Sequence, residues 1–387
     1  MRDAVIVEAI RTPIGRRNGG LSGVHAVDLS AHVLRSLADR SGIDPGLVDD
    51  VIWGCVGQVG EQTFDVARNA VLAAGWPESV PGVSVDRQCG SSQQSVHFAA
   101  AGLIAGQYDL VVAGGVESMS RVPMGASLQV AGNPFSAMGW TTRYGEVIPN
   151  QGVGAEMMAK RWGLSRTQLD EYSLASHEKA AAAQDAGLFD GQIVPVPAAL
   201  TGGEAVALDE GVRRGGTVAA MGALRPAFAA DGVVTAGNAS QISDGSAALL
   251  MTTSERAREL GLTPMARIHT AVLAADDPVI MLTAPIPATR KVLQRSGLRL
   301  DEIGVFEVNE AFATVPLAWL AEMGDPALEK SLNPNGGAIA LGHPLGGSGA
   351  RLMTTLVHQM RAAGIRYGLQ TMCEGGGQAN ATIIELL

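Results

Sequence analysis

Tyr108-Asp109-Leu110-Val111-Val112-Ala113-Gly114-Gly115 and Tyr367-Gly368-Leu369-Gln370-Thr371-Met372-Cys373-Glu374 are two versions of one segment. Each runs from an aromatic residue through a short stretch of strand length to the glycine or polar residues that end a strand. A second pair recurs at nearly the same offset. Ser41-Gly42-Ile43 precedes an apolar run starting near Val51, and Ser296-Gly297-Leu298 precedes one near Val305. A third pair closes each half: Gln241 to Met251 and Gln378 to Leu386 both pass from polar or glycine residues into a final apolar strand. Three matching pieces in one order predict two similarly wound halves.

Working outward, apolar runs at 4–9, 50–56, 110–113, 247–252, 303–308, 368–372 and 381–386 read as buried strands. Helical spacing falls between them, at 28–41, 65–74, 91–107, 166–186, 254–260, 289–296, 311–323 and 347–363. Alternation of this kind predicts an α/β fold. From about Ser118 to Ser243 the pattern changes to prolines, glycines, methionines and one long amphipathic helix. This is an inserted lobe, and lobes inserted on a rigid scaffold commonly shape a ligand pocket. The expected division is 1–118 with 244–268 as the first half, 119–243 as the insertion and 269–387 as the second half.

Composition narrows the function classes. Only 17% of residues are charged against 47% hydrophobic, so much surface must be buried within lobes or between subunits, and an oligomer is expected. The net charge of −10 argues against a nucleic-acid or membrane-surface binder, because both need basic stripes. No uncharged run is long and free enough of glycine and proline to span a bilayer. Asp3 and Glu8 interrupt the apolar amino end, which spoils a secretory or transit signal. Three scattered cysteines, without a CxxC pair, fit neither a disulfide framework nor a zinc ribbon, so reduced thiols in a cytoplasm and no metal are expected.

Chemistry concentrates at four places. Cys89 lies in Val85-Asp86-Arg87-Gln88-Cys89-Gly90-Ser91-Ser92, after a strand-like run and at the start of a helix. Unpaired amides there favour a thiolate, and small neighbours admit a carbonyl to the backbone; a buried structural cysteine is the plainer alternative. His343 sits on a glycine-rich loop, where an imidazole titrating near neutrality suits a general base for a thiol. Cys373 ends a strand and is followed by Glu374-Gly375-Gly376-Gly377. A thiol there suits proton transfer to carbon, and the glycine amides suit an oxyanion, although a simple turn reads equally well. Asn309-Glu310-Ala311-Phe312 ends another strand and opens a helix, which suits either a water-holding role or a helix cap. Cys55, among Val51, Ile52 and Trp53, reads as core. No glycine cluster matches a dinucleotide fingerprint and no G-x-S-x-G elbow occurs.

With those places in hand, the chain resembles the thiolase family, the acyl-CoA acetyltransferases and 3-ketoacyl-CoA thiolases. Six motifs in the family's order carry the resemblance: Gln88-Cys89-Gly90-Ser91, Gly114-Gly115-Val116-Glu117-Ser118-Met119-Ser120, 236–240, 309–312, 335–344 and 373–377. The resemblance implies duplicated β-α-β-α-β halves in a five-layered αβαβα arrangement, a loop domain that holds coenzyme A, and a homodimer or homotetramer. It implies CoA and acyl-CoA as substrates, with no tightly bound cofactor. Cys89 would carry the acyl group, His343 would activate Cys89 and the attacking CoA thiol, and Cys373 would act as acid and base for carbon. One oxyanion pocket would be the His343 ring with a water on Asn309, the other the amides of Cys89 and Gly375. By matching position, CoA would touch Arg213, Phe228, Ser240, Met281 and Phe312.

Three departures from the family pattern bear on specificity. Ser92 stands where the nucleophile motif usually has glycine, Asn150-Gln151-Gly152 replaces the His-Met-Gly of short-chain members, and Glu374 puts a carboxylate where many relatives are apolar. The second predicts acyl groups longer than acetoacetyl. The third predicts a raised pKa for Cys373 if the carboxylate faces the site. A decarboxylating ketoacyl synthase of the same scaffold would use two histidines where this chain has Asn309 and Cys373. A non-catalytic acyl-CoA or lipid carrier would not need the three reactive side chains.

Overall fold

The computed structural model describes residues 2–130 and 132–387. Ten strands occur among them: β1 (Val5–Arg11), β2 (Gly15–Arg16), β3 (Asp50–Gly54), β4 (Gly82–Val85), β5 (Leu110–Ser118), β6 (Ser243–Thr252), β7 (Ala266–Ala275), β8 (Val305–Val308), β9 (Tyr367–Glu374) and β10 (Gln378–Leu386). The principal helices are α1 (Ala26–Ser41), α2 (Val66–Ala73), α3 (Ser91–Ala105), α4 (Gln151–Trp162), α5 (Arg166–Asp185), α6 (Pro285–Ser296), α7 (Thr314–Met323) and α8 (Ser348–Ala363).

The strand order β4-β3-β5-β6-β1-β7-β10-β9-β8 repeats itself. The first half pairs β5 in parallel with β3 and antiparallel with β6, and the second pairs β9 in parallel with β8 and antiparallel with β10. The two Tyr-led segments therefore occupy equivalent strands. Even the β4 position has a counterpart, where Leu332 bridges Phe306 of β8 in parallel. Strand β7 runs unbroken across the expected boundary at 268/269 and pairs along its length with β10, so it belongs to the second half. The halves meet edge to edge through two residue pairs, Val5 with Arg267 and Ile6 with Ala266.

Five layers follow from where the apolar side chains go. Leu29, Leu34 and Leu37 of α1 and Val71 of α2 pack on Trp53 and Val112 of the first sheet. On the other side of the molecule, Val292 of α6 and Trp319 of α7 pack on Phe306 and Ile383 of the second sheet. Between the sheets, Val96 and Leu103 of α3 and Met353 and Leu356 of α8 meet Ile6, Leu249 and Ile384. Helices α3 and α8 are thus covered on both sides, and α8 is buried along most of its length.

Three local readings change. Strand β7 is not marked by a continuous apolar run, because Arg267, His269 and Thr270 are only half-buried and the strand has one mixed face. Helix α4, capped by Asn150 accepting from the Gly152 and Val153 amides, precedes the long insertion helix α5. After β8 the helix begins at Thr314, not at Ala311, so Asn309 is no helix cap and stands in an irregular buried segment.

Candidate active site

The duplication builds the site from equivalent corners. Cys89 immediately precedes Gly90, the N-cap of α3, and His343 lies in the loop that leads to α8. Cys373 closes β9 as Glu117 and Ser118 close β5, and Asn309 follows β8 as Cys55 follows β3. Ligands in open α/β sheets gather at such strand ends.

Segments 88–90 and 373–375 interlock. A Cβ placed on Gly375 would stand 2.8 Å from Gln88 Oε1, and one on Gly90 would stand 1.9 Å from Glu374 Oε1. Gln88 is held at φ 48°, a left-handed conformation unusual for a side chain larger than glycine, and this turns the chain sharply just before the thiol. Cys89 packs with Met119, Leu345 and Met372. It opens into a cavity of about 500 Å³, which Gln88, Glu117, Gly375 and Gly376 also line. The outer wall comes from the insertion, through Met119, Val122, Met124, Leu128, Phe135 and Trp140.

The ionisation states differ from the expectation raised by the start of a helix. Burial is the largest effect on Cys89 and, with the charges of Glu374, Glu117 and Asp86, pushes its thiol up to about 12; only a backbone hydrogen bond acts the other way. Cys373 is likewise pushed well above the usual thiol range by burial, by Cys89 and by Glu374. Burial also drives His343 down to about 3, with Arg351 adding to the effect, so the ring does not titrate near neutrality. At pH 7 the resting set is two thiols and one neutral imidazole.

The hydrogen bonds of His343 define what that imidazole offers. Ser348 Oγ lies 2.5 Å from Nδ1 and donates to the Pro344 carbonyl at 2.8 Å, so its oxygen accepts from Nδ1–H. Nε2 is left with its lone pair, 3.4 Å from Asn309 Nδ2. Asn309 Oδ1 is buried without a partner among the described residues, which suits the binding of a water or substrate donor.

Two carboxylates that the sequence reading quoted without a role hold these loops. Glu117 accepts from the amides of Val56, Gly57 and Gly346 and from Gln62, fixing the His343 loop to the ends of β3 and β5. Glu310 accepts from Tyr172, Ser176, Asn333 and the Ile339 amide, fixing loop 335–341 to α5. The legible signal was their position, an acid at the end of an apolar strand.

Of the five residues matched to CoA contacts, Met281 lines the cavity, at φ 65°. Phe228 stacks edge-on against Phe312 with centroids 6.0 Å apart, and the Ser240 amide donates to the Ala311 carbonyl, so these three form a cluster next to Asn309. Arg213 stands exposed beside α5, its amide donating to His177 Nδ1. The neighbouring Arg214 is paired with Asp185 at 2.8 Å. Ser92 turns away from chemistry: its Oγ accepts from the Ala350 amide and ties α3 to α8. The three cysteines are unbonded, and among the described residues no His, Cys, Asp and Glu cluster has the arrangement of a metal site.

Comparison with known proteins agrees with this architecture. Residues 4–255 match the model of the thiolase N-terminal domain and residues 262–386 that of the thiolase C-terminal domain. The chain is 49% identical to the steroid 3-ketoacyl-CoA thiolase FadA6 of Mycobacterium tuberculosis over 100% of its own length and 95% of that protein's. It is 44% identical to the 3-ketoacyl-CoA thiolase of Pseudoalteromonas translucida, over 100% and 99% of the two lengths. The crystal structure of the Bacillus anthracis acetyl-CoA acetyltransferase superposes with a TM-score of 0.88 at 36% identity, covering 100% of this chain and 99% of that one. The chain belongs to the thiolase family.

Proposed function

We propose that the protein is an acyl-CoA C-acetyltransferase that cleaves 3-ketoacyl-CoA with CoA into acetyl-CoA and a shortened acyl-CoA, or runs the reverse condensation. The observation that carries this reading is the interlocking of segments 88–90 and 373–375: it sets Cys373 close enough to Cys89 to feel its charge, and Cys89 and Gly375 line one cavity. In the cleavage direction His343 Nε2 takes the Cys89 proton, and the sulfur attacks the 3-keto carbon. The oxyanion accepts from the new imidazolium N–H and a water on Asn309. The bond between carbons 2 and 3 then breaks, its electron pair passes to carbon 2, and the Cys373 thiol protonates that carbon. A second oxyanion pocket, the amides of Cys89 and Gly375, holds the thioester oxygen of the departing acetyl-CoA. In the second half His343 passes its proton to Cys373 and takes that of the incoming CoA thiol, whose sulfur attacks the acyl group. The expelled Cys89 sulfur recovers its proton from His343, which closes the cycle. The raised thiol pKa of Cys373 suits a group that must hold its proton until a carbanion forms.

CoA is a substrate here, and Arg213, Phe228, Ser240, Met281 and Phe312 are its proposed contacts, with no resident cofactor or metal. The acyl group is longer or bulkier than acetoacetyl. The cavity supports this through its size and the apolar side chains of the insertion, and Gln151 lines it where short-chain relatives carry methionine. The relative at 49% identity is named for steroid 3-ketoacyl-CoA, which favours branched or alicyclic groups. A homodimer or homotetramer is supported by the edge strand β4, which has one unpaired side, and by exposed Phe64, Phe98 and Ile104. No helix among the described residues is long and apolar enough to cross a membrane. With three unbonded thiols, this favours a reducing cytoplasmic location.

A CoA-dependent cleavage assay over 3-ketoacyl-CoAs of graded length and branching tests the reading. We expect acetyl-CoA release from all active substrates and the highest kcat/KM above four carbons. Turnover of the four-carbon substrate alone removes the chain-length claim, and decarboxylation of a malonyl thioester without cleavage removes the thiolase claim.

A further inference from the structure

The scheme above gives Glu374 no task, although its side chain is fully buried against the nucleophile turn. Glu374 Oε1 and Asn380 Oδ1 lie 1.9 Å and 2.3 Å from the point where a Cβ on Gly90 would stand, so both acceptors share one small space behind Cys89. The Asn380 amide donates to Oε1 at 3.0 Å. Neither Glu374 Oε2 nor Asn380 Oδ1 finds a donor among the described residues. Two buried orphan acceptors on hydrogen-bonded residues are costly, and a proton on Oε2 removes one of them by turning it into a donor.

The groups around it do not supply a compensating cation at contact distance. Arg87, from the turn before α3, spends Nη1 on Gln378 of β10 at 2.8 Å and attracts the carboxylate only through space. Gln94 and His97 of α3 reach it only through Asn380 Nδ2, at 3.2 Å and 3.4 Å. Burial drives His97 down to about 3, so it is neutral. Cys373 precedes Glu374 on β9, and Cys89 carries the further acidic influence of Asp86 and Glu117. Burial outweighs Arg87 and the Asn380 amide and raises Glu374 to about 8.

We propose that Glu374 is a positioning residue which, carrying its proton, bridges the nucleophile turn to β10 and keeps a negative charge away from both sulfurs. The proposal rests on the reading of Cys89 and Cys373 as the reacting thiols. An ionised carboxylate in this place opposes every step in which either sulfur becomes a thiolate. A neutral one costs nothing electrostatically and still anchors the turn.

The test compares the parent enzyme with Glu374→Gln and Glu374→Ala from pH 6.5 to 9.5. Alkylation of Cys89 by iodoacetamide, located by peptide mass, is followed without substrate, and kcat and KM for thiolysis are measured in parallel. Glu374→Gln should match the parent within about two-fold below pH 7 and exceed it by about five-fold or more at pH 9, where the parental carboxyl has ionised. The gain should appear in kcat and not in KM. Glu374→Ala, which lacks the bridge, should be slower at every pH. Superimposable parent and Glu374→Gln profiles overturn the proposal, as does a Glu374→Gln enzyme no better than Glu374→Ala. A Glu374→Gln chain that fails to fold also overturns it, since glutamine copies the neutral acid in shape and charge and also carries a donor. A parent without thiolysis but with the same alkylation contrast retires the catalytic reading and leaves this assignment standing.

Discussion

At the scale of single residues, the proposed chemistry starts from neutral groups that become charged only in pairs. Cys89, raised to about 12, cannot serve as a standing thiolate at pH 7, so the proposed attack needs His343 to take its proton. Cys89→Ser should abolish the acyl-enzyme, seen as loss of the added acyl mass on the intact protein. Cys373→Ser should still acylate Cys89 but slow exchange of the acetyl-CoA α-protons with deuterated solvent by about 10²- to 10⁴-fold, the usual worth of a positioned acid or base. Equal loss of acylation and exchange in that variant would contradict the division of labour. Ser348→Ala removes the acceptor that holds Nδ1–H, so kcat should fall by about ten-fold or more with little change in KM. Cys89, His343 and Cys373 stood out in the sequence as candidates because each lay beside glycines at a strand or helix end. Their ionisation was not, because the helix start near Cys89 is visible in sequence while Glu374, Glu117 and complete burial are brought there only by folding.

At the scale of elements, two helices from opposite halves cross through glycine. A Cβ on Gly349 of α8 would stand 2.2 Å from the Gln93 amide nitrogen of α3, and one on Gly54 of β3 would stand 2.4 Å from the Ser92 nitrogen. Backbone on the receiving side leaves nothing that can swing away. Gly349→Ala should therefore force α3 and α8 apart, destabilise the protein by about 1–3 kcal/mol in thermal unfolding, and lower kcat because Cys89 and His343 ride on those helix starts. A variant of parental stability and activity would show that the crossing has slack. Buried strands such as β5 and β6 announce themselves as continuous apolar runs and were legible for that reason. Strand β7 was not: its pattern is mixed, and its place is decided by nine residue pairs with β10, a partner more than a hundred positions away.

At the scale of the whole molecule, the burial that readies the site also sets the pH at which the fold is most stable. Glu307 and Glu374 are both raised to about 8 from 4.5, chiefly by burial, and Asp50, Asp86, Glu117 and Asp244 move in the same direction. Such acids keep protons in the native state that the unfolded chain has lost. Their contribution is full below the unfolded value and is lost as pH rises through the folded one. His97 and His343, lowered to about 3, and His177, lowered to about 4, act in the opposite sense. The unfolded chain binds their protons up to pH 6.5, so they destabilise the fold on the acid side and stop mattering above that value. Between about pH 6.5 and 8 only the acids of these two sets change, and stability should fall with rising pH by up to about 1.4 kcal/mol per pH unit for each fully titrating acid. Thermal unfolding in a pH series should thus show a declining midpoint from 6.5 to 8, and Glu374→Gln should make the decline shallower. A midpoint that rises over this interval would mean that the buried acids are ionised in the native state, and with it the neutral resting site would have to be abandoned.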